Sequence, residues 1–174
     1  MAQTLPDPAL SLEAFQQAIM TGEIILDSGL VDPDLYVLRD HPAKGRPRFT
    51  FARIREDATV TAFAVAVLAE PVNGLPCFQI GYAVPKRFRK QGRAKAIVGA
   101  ALAELRHDLE DAVPVYFIAA VVGVDNPISQ AVATAMMDFA RSSISAYWSG
   151  VATGICAPGI DRPRRIAAGR RSLY

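Results

Sequence analysis

The stretch Phe78-Gln79-Ile80-Gly81-Tyr82-Ala83-Val84-Pro85-Lys86-Arg87-Phe88-Arg89-Lys90-Gln91-Gly92-Arg93-Ala94 decides how this chain is read. It begins as an apolar, β-prone run from Cys77 to Val84, passes into a basic loop holding a glycine, and enters a helix near Arg93. Between Pro85 and Lys95 stand six basic residues, Lys86, Arg87, Arg89, Lys90, Arg93 and Lys95, with no acid among them. A helix start exposes backbone N–H groups that have no partner within the helix, and it carries the positive end of the helix dipole. Such a start binds phosphate oxygens, and the small residues Gly92 and Ala94 let backbone approach an anion closely. Neither GxxxxGK[ST] nor GxGxxG is present, so this is neither a Walker loop nor a dinucleotide fingerprint. An exposed turn with solvated cations is the competing reading of these residues.

Working outward, the pattern predicts a helix over residues 11–22, with Asp7-Pro8 and Ser11 as start signals, Leu12, Phe15, Ile19 and Met20 as its stripe and Gly22 as its stop. A short strand follows at Leu35–Leu38, then a loop, HPAKGRPR. Strands around Phe49–Arg55 and Thr59–Glu70 are joined by Glu56-Asp57-Ala58 as an antiparallel hairpin. In the second of these, Phe63, Val65 and Val67 alternate with Ala62, Ala64 and Ala66, which puts small residues on one face. Pro71–Pro76 reads as a turn into the Cys77 strand. After the basic loop, Val98, Leu102, Leu105 and Leu109 form one helical stripe. Val115–Val122 reads as a strand buried on both faces, and Asn126-Pro127 starts a helix with Ile128, Val132, Ala135 and Phe139 as its stripe. Ser143–Trp148 reads as a further strand, and the Gly-, Pro- and Arg-rich remainder as irregular. The whole predicts a mixed α/β sheet with helices on both faces in a single domain over residues 1–174.

Composition sets the outer bounds. With 174 residues, 51% hydrophobic and 21% charged, the chain has material for one sizeable core, which excludes a wholly disordered, collagen-like or disulfide-rich class. The apolar run Val115–Val124 is half the roughly 20 residues a membrane-crossing helix needs. The N-terminal segment lacks a basic start followed by an apolar stretch, so the reading is a cytoplasmic protein with Cys77 and Cys156 reduced and without a metal site. A second cationic segment holds Arg162, Arg164, Arg165, Arg170 and Arg171, and all seventeen acidic residues fall outside the two basic segments. Anions should therefore be drawn to those segments rather than to the whole surface.

The segment Arg89-Lys90-Gln91-Gly92-Arg93-Ala94 resembles the [QR]-x-x-G-x-[GA] motif of the GNAT superfamily of acyl-CoA-dependent N-acyltransferases. Ile80-Gly81-Tyr82-Ala83-Val84-Pro85 is similar to that family's preceding strand, and Asn126-x-x-Ser129 to its second motif. The likeness covers roughly residues 35 to 140 and implies a mostly antiparallel sheet with a splayed parallel strand pair. It implies acetyl-CoA as cosubstrate and an amine as acceptor, held together for direct attack. Tyr82, Ala83 and Val84 would bind the pantetheine arm through their backbone, and Arg89, Lys90, Gln91, Gly92, Arg93 and Ala94 would wrap the pyrophosphate. Asn126 and Ser129 would contact the cofactor from the other side; as residues they also fit a helix cap and a first-turn hydrogen bond.

Two family positions differ. Gln79 stands where relatives often carry a glutamate base, and Ala133 where they often carry a tyrosine acid; a neutral amide takes no proton near pH 7. The substitutes are Tyr147 as acid and Glu70, His41 or His107 as base. A CoA-binding module without turnover is the second reading, and a nucleic-acid binder using Arg162–Arg171 the last, since it lacks interleaved aromatics. The apolar residues Ile144, Tyr147, Trp148, Val151 and Ile155 serve either a homodimer contact or a packed edge.

Overall fold

A computed structural model describes residues 5–113, 115–121, 131–135 and 154–158. Helix α1 (Pro8–Thr21) begins at the earlier of the two start signals rather than at residue 11, because the Asp7 carboxylate accepts the Ala9 N–H at 2.8 Å and Pro8 sits where no N–H is needed. Ser11 instead donates its hydroxyl back to the Asp7 carbonyl. Gly22, at φ +71°, closes the helix in the left-handed conformation. Phe15 is buried, with Leu12 and Ile19 beside it, but Met20 points to solvent at 70% exposure and does not belong to the stripe.

Among the described residues seven strands follow in one sheet whose spatial order is their chain order: β1 (Asp27–Ser28), β2 (Tyr36–Ala43), β3 (Arg46–Ile54), β4 (Val60–Val72), β5 (Leu75–Ala83), β6 (Phe117–Val121) and β7 (Gly154–Pro158). Every neighbouring pair is antiparallel except β5 and β6, which run parallel and are joined through helix α2 (Arg93–Leu109). HPAKGRPR is therefore mostly strand, not loop. Its two prolines are accommodated because the β2–β3 register shifts between Asp40 and Ala43, and the turn contracts to Lys44-Gly45. The Pro71–Pro76 turn likewise contracts to Asn73-Gly74, both at positive φ, between Val72 and its partner Leu75. The buried parallel strand is Phe117–Val121, shorter than expected, and Gly154–Pro158 forms a strand where irregular chain was expected. The expected strand at residues 143–148 lies outside the described residues.

The alternation in β4 separates two cores. Phe63, Val65 and Val67 face α1 and pack with Phe15, whose ring centroid lies 5.4 Å from that of Phe63. Ala62, Ala64 and Ala66 face α2, and their small side chains let Ile97, Val98, Ala101 and Leu105 close onto the sheet beside Phe51 and Phe78. Burying each such large side chain contributes about 1.5–3 kcal/mol. Leu102 is only partly buried, and the α2 stripe includes Ile97, Ala101 and an unexpected Glu104. The core thus fixes both the strand that leads into the basic loop and the helix that leaves it.

Candidate anion-binding loop and strand fork

The β5–β6 ladder runs from Cys77↔Phe117 to Ile80↔Ala120. Beyond it each strand continues with its other neighbour, β5 to Ala83 against Phe63 of β4 and β6 to Val121 against Gly154 of β7. Among the described residues the two parallel strands pair up to Ile80 and Ala120, and the end of that pairing nearest the basic loop is termed the fork. Phe78, Ile80 and Tyr82 belong to the α2 side. Gly81 belongs to the α1 side, where a Cβ would collide with Leu5 and Pro8. By strand alternation the half-buried Gln79 shares the side of Gly81.

The chain leaves β5 through a single 3-10 turn, Lys86–Phe88. Arg89 folds back so that Nε donates to the Val84 carbonyl at 2.9 Å, which pins the loop and occupies one of the backbone groups of Val84. Lys90 at φ +60° and Gly92 at φ +72° turn the backbone into α2. A Cβ on Gly92 would meet nothing within 4 Å, so glycine is favoured there by the backbone angle, not by crowding.

No side chain caps the start of α2, and no acid lies in its first turn. Ala96 donates to the Gly92 carbonyl at 3.1 Å, the first bond of the helix, so the N–H groups of Arg93, Ala94 and Lys95 precede the helical ladder. Arg93 and Lys95 in the first turn face the positive helix end, an arrangement that costs about 0.3–1 kcal/mol per charge. Among the described residues none of the six loop cations forms an ion pair, whereas Arg39, Arg48 and Arg53 pair with Asp27 and Asp108, Asp40, and Asp32. Arg87 and Arg93 instead lie over the Phe88 ring, at 4.7 and 5.3 Å from its centroid. Local stability is given up here in the direction that favours a bound anion.

Solved structures supply the comparison. Several of the neighbours are acetyltransferases. They include a ribosomal-protein-alanine N-acetyltransferase from Brucella melitensis, 16% identical, covering 92% of this chain and 99% of that one at a TM-score of 0.44. A GNAT superfamily phosphinothricin acetyltransferase from Sinorhizobium meliloti, in complex with AcCoA, is 14% identical over 90% of this chain and 86% of that one, at 0.41. A point mutant of the spermidine N-acetyltransferase SpeG from Vibrio cholerae is 10% identical over 92% and 94%, at 0.44. No family model and no curated protein matches the sequence.

Tyr82, Ala83, Val84 and Arg89 through Ala94 thus form one continuous path from the fork to the helix start. Glu70 is exposed and lies three residues past the level of Val67↔Gln79, on the paired side of the fork and about 10 Å along the strand. His41, on β2, and His107, on α2, are exposed, and neither is brought to the fork. Ala133 is buried within the helical residues 131–135. Asn126, Ser129 and Tyr147 lie outside the described residues.

Burial pushes the phenol of Tyr116 up to about 12, so it stays protonated, packed edge-on to Phe78 at 5.7 Å. A cleft of about 600 Å³ opens beside the first turn of α2, lined by Tyr36 of β2, Arg53 at the end of β3 and Arg55 just beyond it, and by Phe88 and Arg93. The sequence reading missed this cleft; the basic residues ending β3 were its only signal.

Proposed function

We propose that this chain is a GNAT-superfamily enzyme that moves an acetyl group from acetyl-CoA to a primary amine. One observation carries the reading: the uncapped, cation-flanked start of α2 at Gly92 follows β5, the strand that pairs in parallel with β6 up to Ile80. The pyrophosphate would sit on the N–H groups of the first turn of α2, with Lys86, Lys90 and Arg93 screening its charge. The pantetheine arm would lie along Tyr82–Val84, leaving the thioester near Ile80 at the base of the fork. Asn126 and Ser129 would hold the cofactor from the other side.

In the ternary complex the amine nitrogen attacks the thioester carbonyl. The C–N bond forms, the C–S bond breaks, the nitrogen loses one proton and the departing thiolate gains one. Holding the two reactants together supplies much of the acceleration. Gln79 cannot serve as base. Glu70 is the proposed proton acceptor, exchanging through solvent, with His41 and His107 as the other exposed bases, and Tyr147 is the proposed donor to sulfur.

A CoA-binding module without turnover is the second reading, favoured by the amide at Gln79 and the buried methyl of Ala133. Acetyl-CoA titration followed by thiol release across a panel of amines tests both. Saturable binding with release supports the enzyme. Binding without release from any amine supports the module, and absence of binding overturns both.

A further inference from the structure

Two faces of β5 meet the fork, and among the described residues one of them is closed. On the α2 side Phe78, Ile80 and Ala120 are buried in one cluster with Val98 and Ala101, so that face is filled by core. Strand alternation places Gln79, Gly81 and Ala83 of β5 on the α1 side, together with Ala119 of β6. Gln79 is flanked in the sheet by Val67 of β4 and by Ala119, and both Gln79 and Ala119 are only half-buried. The next residue on that side is Gly81, and the chain that leads into α1 lies directly on it. A Cβ at Gly81 would collide with Leu5 and come within 2.8 Å of Pro8 Cγ. The missing side chain thus lets Leu5 and Pro8 rest on the backbone of β5, one side-chain repeat, about 7 Å, from Gln79. Leu5 also packs against the cluster that holds Phe15, Phe63 and Val67. The segment is anchored on both sides. Asp7 caps α1 by accepting the Ala9 N–H at 2.8 Å. Gln16 ties the helix to the β3–β4 turn, donating to the Ala58 carbonyl at 2.9 Å and accepting the Val60 N–H at 2.8 Å.

We propose that Leu5 and Pro8 form the wall of the acceptor site and select a primary amine carried on an uncharged, apolar body. The inference rests on the acetyl-transfer reading, which puts the thioester near Ile80. With the α2 side filled, the amine reaches that carbonyl from the α1 side. Its nitrogen then lies by the Gln79 amide, whose oxygen accepts an N–H. Its carbon body lies against Leu5 and Pro8, which offer apolar contact and no charge. A second ammonium on the same molecule would lose hydration at this wall without gaining a partner.

The test is thiol release from acetyl-CoA by the full chain with benzylamine, ethanolamine and 1,4-diaminobutane. It compares the parent with Leu5→Asn, which keeps the branched shape but makes it polar, and with Leu5→Met, which keeps it apolar. Met20→Ala is the control, removing exposed apolar bulk from the last turn of α1. The parent should favour benzylamine over both other amines in kcat/KM. Leu5→Asn should reduce that preference about tenfold or more, chiefly through KM, while Leu5→Met and Met20→Ala retain it. Should Leu5→Asn fail to fold by circular dichroism, Gly81→Ala, whose Cβ needs the place of Leu5, carries the same expectation. A parent that prefers the diamine, a preference unchanged in Leu5→Asn, or an equal fall for all three amines, as a purely structural role would give, overturns the wall and leaves acetyl transfer standing. Release with other amines but none with benzylamine does the same. Absence of release across a wide amine panel removes the enzyme reading and the wall with it.

Discussion

Glu104 and Val31 meet across 73 residues of sequence: the carboxylate Oε1 of Glu104, fully buried on α2, accepts the Val31 backbone N–H at 2.6 Å. The same oxygen accepts the Asp32 N–H at 2.9 Å, and Oε2 accepts that of Leu30 at 3.1 Å. An interior anion is thereby satisfied by the connection between β1 and β2, and that connection carries Asp32 to Arg53 at the edge of the cleft. Glu104→Ala would leave three backbone donors without their acceptor. We expect a loss of about 3 kcal/mol or more in urea unfolding, with Glu104→Gln milder because one acceptor oxygen survives. Equal stability of Glu104→Ala and the parent would contradict this role.

Gly29 lies against the same carboxylate, and a Cβ there would collide with Glu104 and with the Asp32 carbonyl. Gly29→Ala should cost about 1–3 kcal/mol through crowding. Combined with Glu104→Ala the two losses should not add, because truncating the glutamate removes half of the collision. Additive losses in the unfolding midpoints would show that the two residues act separately.

Acid should loosen the same connection. Hydrogen bonds from Arg53 hold the Asp32 carboxyl below its ordinary 3.8, against the opposing effect of its modest desolvation. Because the folded value is the lower one, the contribution to stability is present above the ordinary carboxylate range and is lost as pH falls through and below it. Asp32→Asn should flatten the stability profile between about pH 5 and pH 2. An unchanged slope would remove Asp32 from the acid response.

Gln79 offers a test by gain. If the fork carries out acyl transfer, Gln79→Glu should raise thiol release by about tenfold or more, rising with pH as the carboxylate ionises. Gln79→Ala should lower turnover only modestly. Abolished turnover in Gln79→Ala would show that the amide itself takes part.

Much of this was legible in the chain. The Phe63/Val65/Val67 against Ala62/Ala64/Ala66 alternation predicts a strand with small residues on one face, and α2 packs on that face while α1 packs on the other. The run from Cys77 to Leu109 likewise reads directly as strand, loop and helix, because each has its own chemistry: β-branched and aromatic residues, a cationic turn with glycine, then a 3.6-residue stripe. Prolines misled twice. Pro42 and Pro47 suggested loop, yet a register shift lets both stand within paired strands, and such a shift leaves no local signature. Glu104 was hidden because an acid on an amphipathic helix reads as solvated. Its spacing, three residues past Ala101 and seven past Ile97, places it on the buried face and was the available clue. The cleft at Arg53 and Arg55 depends on β3 ending beside the start of α2, a tertiary contact that no local pattern announces.

The most direct test is calorimetric titration of acetyl-CoA into the parent protein and into Gly92→Glu. The side chain enters open space on the surface, so the cost to folding is limited to placing a non-glycine residue at φ +72°, about 1 kcal/mol, and circular dichroism would verify the fold. Saturable binding to the parent and none to Gly92→Glu is the result expected if the start of α2 grips the pyrophosphate. Undiminished affinity in the variant, or no binding to the parent, would contradict that placement.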